Sequence, residues 1–149
     1  MFRNILIPTD GSRLSLRGVE AGVRLAKSLR AKVTGLYVVL PYVPPVYGGA
    51  SLYRLPGMSL KQSKNLLEEQ ADKALEAIRV EAARQRVPCE TRHVTLGQPW
   101  EAILRTARSA RCDAIVMASH GRGGIGGLIL GSETTRVLAN SRIPVLVVR

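Results

Sequence analysis

Asp113-Ala114-Ile115-Val116-Met117-Ala118-Ser119-His120-Gly121-Arg122-Gly123-Gly124-Ile125-Gly126-Gly127-Leu128-Ile129-Leu130-Gly131-Ser132 is the stretch from which the fold can be read. Its first six residues are apolar at both odd and even positions after Asp113, so the strand they form hides both faces. A strand buried on both sides belongs to a parallel sheet with helices above and below. A glycine-rich loop succeeds the strand: six of the fourteen glycines of the chain lie between Gly121 and Gly131. Glycine lets backbone N–H groups approach a bound group closely and adopt unusual dihedrals, which suits a phosphate. A short helix over Glu133–Asn140 then points its N-terminus, with free N–H groups and the positive dipole end, at the same place. Ser132 is expected to cap that helix or to donate its hydroxyl to a phosphate oxygen, and Arg122 to add a forked cationic contact.

Outward from this stretch, strands and helices alternate. Arg3 to Pro8 reads as a buried strand, Asp10-Gly11-Ser12 as a turn with capping chemistry, and a helix runs to about Leu29 with Gly18, Gly22, Leu25 and Leu29 facing inward. Lys32 to Leu40 is a second strand. Pro41 to about Leu60 is irregular, with four prolines, three glycines and three of the four tyrosines, a length usually reserved for function or mobility. A long helix comes next, from about Lys61 to Gln85, striped by Leu67, Ala71, Ala74, Ile78 and Ala82. Cys89 to Val94 is the third strand, and Gly97-Gln98-Pro99 opens a helix striped by Trp100, Ile103, Leu104 and Ala107. Pro144 to Val148 closes the chain as a fifth strand. Five short strands separated by helices predict a single-domain, doubly wound α/β fold over residues 1–149, with ligands at the C-terminal strand ends. That rule selects the turns after Pro8, Leu40 and Ala118.

Composition narrows the function classes. The chain has 149 residues, 46% apolar and 22% charged, with no apolar run near the roughly 20 residues of a membrane span. Its first residues lack the features of a signal peptide, so a cytoplasmic address without membrane contact is expected. The formal charge is +11, and 17 of the 22 basic residues are arginines spread along the chain. With one Phe and one Trp there is no base-stacking platform, and specific nucleic-acid binding is not expected. Cys89 and Cys112 form no CxxC pair and are expected as buried, reduced thiols. Two histidines are too few for a His-based metal site, and no catalytic constellation is expected. Gly121-x-Gly123-x-x-Gly126 matches the dinucleotide fingerprint only formally, because the helix starts late and no acidic residue lies on a later strand. Gly126-x4-Gly131-Ser132 resembles a P-loop without its lysine.

Taken together, Ile5-Leu6-Ile7-Pro8-Thr9-Asp10-Gly11-Ser12, Tyr37-Val38, Ile115 to Arg122, Leu130-Gly131-Ser132, Val137-Leu138 and Pro144 to Val148 make the whole chain resemble the universal stress protein (UspA-like) family. The resemblance implies a Rossmann-like, adenine-nucleotide alpha-hydrolase-like sheet of order 3-2-1-4-5. The nucleotide-binding branch of the family carries Gly, two residues, Gly, nine residues, then Gly and Ser or Thr. Gly121, Gly131 and Ser132 match; Ala118 stands where the first glycine is expected.

Carried over, the resemblance implies binding of ATP, ADP or AMP. The backbone at Pro8 and Thr9, with Asp10, would meet adenine and ribose, and the Val38 backbone would meet the adenine edge. Met117 and Ala118 would flank base and sugar. Gly121, Arg122, Gly124, Gly131, Ser132, Glu133 and Thr134 would surround the phosphates. Asp10 and bound phosphates could share one Mg²⁺; on the residues alone, helix capping is the other, less favoured reading of Asp10. The family commonly forms homodimers through the last strand, and Val145–Val148 is an edge strand suited to that pairing. The expected function is a stress-response sensor in which nucleotide occupancy orders the Pro41–Leu60 segment and the Gly121–Gly131 loop. A dimeric interaction module that binds no nucleotide, favoured by Ala118, and a weak ATP hydrolase or phosphotransferase stand as alternatives.

Overall fold

A computed structural model of the chain describes residues 1–39, 57–95, 97–119 and 130–149. Its elements are β1 (Asn4–Thr9), α1 (Arg13–Leu29), β2 (Lys32–Val39), α2 (Leu60–Gln85), β3 (Cys89–Thr95), α3 (Pro99–Ser109), β4 (Ala114–Ala118), α4 (Ser132–Asn140) and β5 (Val145–Val148). Every strand pair is parallel, and the sheet runs β3-β2-β1-β4-β5. The chain winds one way from β1 through β2 to β3, then crosses back to β4 and β5, as expected of a doubly wound sheet.

Alternation along the central strands builds two cores. Ile5, Ile7, Ala114 and Val116 point into one layer with Val19 and Val23 of α1 and Ile78 of α2. Leu6, Ile115 and Met117 point the other way, against Ile103 and Leu104 of α3 and Val137 of α4. The Val, Leu, Ile and Met side chains among them contribute about 1.5–3 kcal/mol each relative to exposure. Gly22 lets α1 lie close to the sheet, since a Cβ there would stand 2.6 Å from the Ile7 Cδ1 atom.

Three helices end by one device. Arg30, Arg86 and Arg111 take left-handed backbone angles with φ of 53°, 57° and 53°. The next residue, Ala31, Val87 or Cys112, then donates its N–H back to a carbonyl five residues earlier and is buried. This is the hydrogen-bonding pattern of a Schellman turn, with arginine where glycine is usual. It delivers the chain into the next strand each time.

Several expectations need correction. On α1, Gly18 and Gly22 do face the sheet, but Leu25 and Leu29 are half-buried at the rim, while Val19, Val23 and Ala26 fill the centre. The helical period explains it: 18, 22 and 26 share one line, and 25 and 29 fall on its flank. Cys112 is buried, and burial pushes its thiol above the ordinary range. Cys89 is exposed, because it opens β3, an edge strand with one open side. The last helix begins at Ser132 with Gly131 as its N-cap residue in extended conformation, so Ser132 sits inside the first turn and is not the cap. Most of the Pro41–Leu60 segment lies outside the described residues.

Candidate functional site

The C-terminal ends of the strands open between β1 and β4. β1 pairs with β2 as far as Thr9↔Tyr37, and β4 pairs with β5 as far as Ala118↔Val148. Between β1 and β4 the register stops at Leu6↔Ile115. Proline supplies the reason. The Asn4 carbonyl faces β4, where it accepts the Asp113 N–H at 3.0 Å, so by the two-residue alternation position 8 faces β4 as well. Pro8 has no N–H to give, and the ladder ends before it. This parting lies at the point where strand order reverses.

The turn after β1 is closed by its own side chains. The Gly11 N–H donates to the Thr9 Oγ1 atom at 3.1 Å, and the Ser12 N–H donates to the Asp10 Oδ1 atom at 2.9 Å. Ser15 gives its hydroxyl proton to the Ser12 carbonyl at 2.8 Å, which leaves the Thr9 hydroxyl as donor in the 2.9 Å Thr9–Ser15 contact. Ser12 caps α1 by accepting the Ser15 N–H at 3.2 Å. The half-buried Val38 lies one residue beyond the last β1–β2 pair. Because the Val33 N–H is taken by Pro88 on the β3 side, alternation turns the backbone groups of Val38 toward β1.

The end of β4 is held from three directions. The Ser119 N–H donates to the Val148 carbonyl at 2.8 Å, the Gly131 N–H to the Ser119 carbonyl at 2.8 Å, and the Thr134 Oγ1 hydroxyl to the Ala118 carbonyl at 3.2 Å. From α1, Gly18 presses on the same place: a Cβ there would come within 2.9 Å of the Ala118 nitrogen and 3.3 Å of the Met117 carbonyl carbon. Ala118 shares the α1 side of β4 with Ala114 and Val116, so its methyl group points toward that helix. The two ends of the glycine-rich loop are thereby fixed to each other.

Helix starts differ in who satisfies them. α1 is capped by Ser12, and α2 by a reciprocal capping box between Ser59 and Gln62. α3 receives no bond from its own N-cap side chain, Gln98; the Glu133 Oε2 atom instead accepts the Trp100 N–H at 2.8 Å. α4 begins on Gly131, which has no side chain, and no described side chain accepts from its first-turn amides. Those amides lie at the C-terminal end of the sheet, beside the last residues of β4.

The structure thus gathers Pro8, Thr9, Asp10, Val38, Met117, Ala118, Gly131, Ser132, Glu133 and Thr134 around the strand ends. It also shows how some of them are employed. The Thr134 hydroxyl and the Gly131 N–H hold the loop neck, and the Glu133 carboxylate is turned to α3. Gly121, Arg122 and Gly124 lie outside the described residues. Among the described residues no group of three or more His, Cys, Asp or Glu side chains is placed to hold a metal, and no helix is long and apolar enough to cross a membrane. Sequence reasoning missed Ser119, Gln98 and the backbone of Trp100. Gly18 it read only as a close-packing position. Their partners are distant in sequence, and no local pattern announces them.

A family model described as the universal stress protein family matches residues 1–149. The chain belongs to that family. A curated universal stress protein of Methanocaldococcus jannaschii is 34% identical over 150 residues, covering 100% of this chain and 83% of the relative. Among solved structures, universal stress protein UspA from Lactobacillus plantarum is 25% identical with a TM-score of 0.76, covering 99% of this chain and 97% of its own. The fold is also shared with a universal stress protein from Archaeoglobus fulgidus in complex with dAMP, at 20% identity and a TM-score of 0.65, over 99% and 98% of the two chains.

Proposed function

We propose that this universal stress protein binds an adenine nucleotide at the parting of β1 and β4 and acts as a nucleotide-responsive regulator in the stress response. One observation carries the reading: α4 starts on the bare Gly131 at the C-terminal end of the sheet, while the other three helix starts are met by side chains. N–H groups that donate to no described side chain, together with the positive end of a helix dipole, favour an anion there. The fold of a chain that holds dAMP supports the choice of nucleotide.

In this reading the base lies toward the Val38 backbone, and Pro8, Thr9 and Asp10 border base and sugar. Met117 and Ala118 line the sugar side. The phosphates meet the N–H groups of Ser132 and Glu133, with Gly121, Arg122 and Gly124 completing the loop. Thr134 and Gly131 shape the site by holding its neck. The methyl of Ala118, where the family pattern has glycine, is directed at α1, which presents Gly18 there. AMP, ADP and ATP share the groups that these residues would touch. A Mg²⁺ ion shared between Asp10 and the phosphates belongs to the ATP form of the reading.

Occupancy would be read out through the 41–60 and 121–131 segments. Hydrogen exchange with and without saturating AMP or ATP tests this: slowed exchange in both is expected, and identical exchange overturns the readout. Calorimetry with AMP and ATP tests binding itself. Saturable binding is expected in the native protein and none in Gly131→Val, whose branched side chain would block the phosphate path while the fold survives.

The reading includes a cytoplasmic homodimer. β5 is an edge strand with Leu146 48% exposed, an open template for the same strand of a second copy. Sedimentation of native protein at twice the monomer mass, and of Leu146→Lys at the monomer mass, is the expected result.

A further inference from the structure

Glu133 is the second residue of α4, yet its carboxylate serves α3. Oε2 accepts the N–H of Trp100, the second residue of α3, at 2.8 Å, and Oε1 lies 3.5 Å from the Arg136 Nη1 atom. The same Nη1 atom donates to the Gln98 Oε1 atom at 3.0 Å. Gln98 is the N-cap residue of α3. Gln98 and Trp100 at the start of α3 therefore form a closed clip with Glu133 and Arg136, the second and fifth residues of α4. Val137 of α4 and Ile103 and Leu104 of α3 pack in one core nearby. A carboxylate in the first turn of a helix would ordinarily interact with the positive end of that helix and repel a phosphate arriving there. Here its charge is taken up by Arg136 and by the positive end of α3.

We propose that Glu133 is a positioning residue of the nucleotide site: through Trp100 it fixes the start of α4 against the start of α3, and so sets the direction of the amides that receive the phosphate. This inference rests on the nucleotide reading above. It assigns the Glu133 side chain no contact with the ligand, whose phosphate meets only the backbone N–H of that residue. It differs from a plain stability role because only the phosphate end of the ligand should feel the loss of the clip.

Adenosine and AMP separate these roles. Affinities of both are measured by calorimetry for the native protein, Glu133→Ala, Glu133→Gln and Arg136→Ala, and hydrogen exchange at the Trp100 amide reports the clip. Glu133→Ala and Arg136→Ala are expected to weaken AMP about fivefold or more, in line with losing a charge-assisted hydrogen bond, and to leave adenosine within about twofold. Glu133→Gln keeps an oxygen for the Trp100 N–H and should retain most of the AMP affinity.

The proposal is overturned if adenosine and AMP shift together, or if neither shifts although the Trp100 amide has lost protection in Glu133→Ala. It is equally overturned if Glu133→Ala and Glu133→Gln both tighten AMP, which would mean that the carboxylate acts by repulsion. Arg136 is exposed, so Arg136→Ala keeps the test open should Glu133→Ala fold poorly. A native protein that binds neither ligand overturns the nucleotide reading itself, and hydrogen exchange at Trp100 then still tells whether the clip exists.

Discussion

The starts of α1 and α4 open on the same end of the sheet and are built in opposite ways. α1 is approached through Thr9, Asp10 and Ser12, each of which accepts a backbone N–H of its own turn, and Ser15 closes the chain of hydroxyls behind them. α4 is approached through Gly131, which has nothing to offer, and the one carboxylate in its first turn is spent on a neighbouring helix. Both starts obey the same requirement, that buried or half-buried N–H groups find acceptors. The first meets it within the polypeptide. Among the described residues the second shows no such side-chain acceptor, and in the nucleotide reading the phosphate supplies it.

The most direct way to break this contrast is to give α4 what α1 has. Gly131 has φ −60° and ψ 149°, angles that any residue adopts and that suit an N-cap. Gly131→Asp should therefore cap α4 and raise stability by about 0.5 kcal/mol. A carboxylate about 5 Å from a phosphate, at an effective dielectric near 20, costs on the order of 3 kcal/mol, or about a hundredfold in affinity. Stability and AMP affinity should move in opposite directions, read by urea melts and calorimetry. A variant that gained stability and kept its affinity would show that the phosphate does not use this helix start.

In the nucleotide reading α1 contributes to the site by packing, and Gly18→Ala isolates that contribution. The new methyl would meet backbone atoms at 2.9 and 3.3 Å, which cannot rotate away as a side chain would. Displacement of the Met117–Ala118 peptide should cost about 1–3 kcal/mol in a urea melt, only partly offset by the better helix propensity of alanine. AMP affinity should fall with it, because the same peptide is tied to α4 through Thr134. Unchanged stability would mean that α1 is free to shift outward, and the close approach would then be incidental.

How much of this was legible beforehand depends on the range of the interaction. The sheet could be read because β1, β2 and β4 are apolar at consecutive positions, a local property that only burial on both faces explains. The glycine-rich loop was visible as composition. The strand order, by contrast, came from the family resemblance, since nothing local says on which side of β1 the fourth strand docks. Pro8 was legible as a residue but not as the reason β1 and β4 part, which depends on which way its missing N–H would have pointed. Glu133 reads as an acidic residue at a helix start, where the dipole rule keeps it at home; its use by Trp100, 33 residues away in sequence, appears only in three dimensions. The helix ends at Arg30, Arg86 and Arg111 escape a rule that searches for glycine. Cys89 was misjudged because an apolar run does not announce that it begins at an edge.

The finest test of the contrast uses two serines. Ser12 stands before its helix and its Oγ accepts the Ser15 N–H; Ser132 stands inside its helix, exposed, one residue after the cap. Ser12→Ala should remove a working cap and cost about 1 kcal/mol, a shift of roughly 2–4 °C in Tm for a chain of this size. Its AMP affinity should stay within about twofold, because the lost hydroxyl faces its own helix. Ser132→Ala should leave Tm within about 1 °C, since exposed substitutions away from caps change stability little. It should weaken AMP about threefold, the worth of one modest hydrogen bond to the phosphate. The two alanine variants would then fail in complementary ways, one in folding and one in binding. If Ser132→Ala instead melted early and bound normally, the serine would be capping α4 after all, and the difference between the two helix starts would disappear.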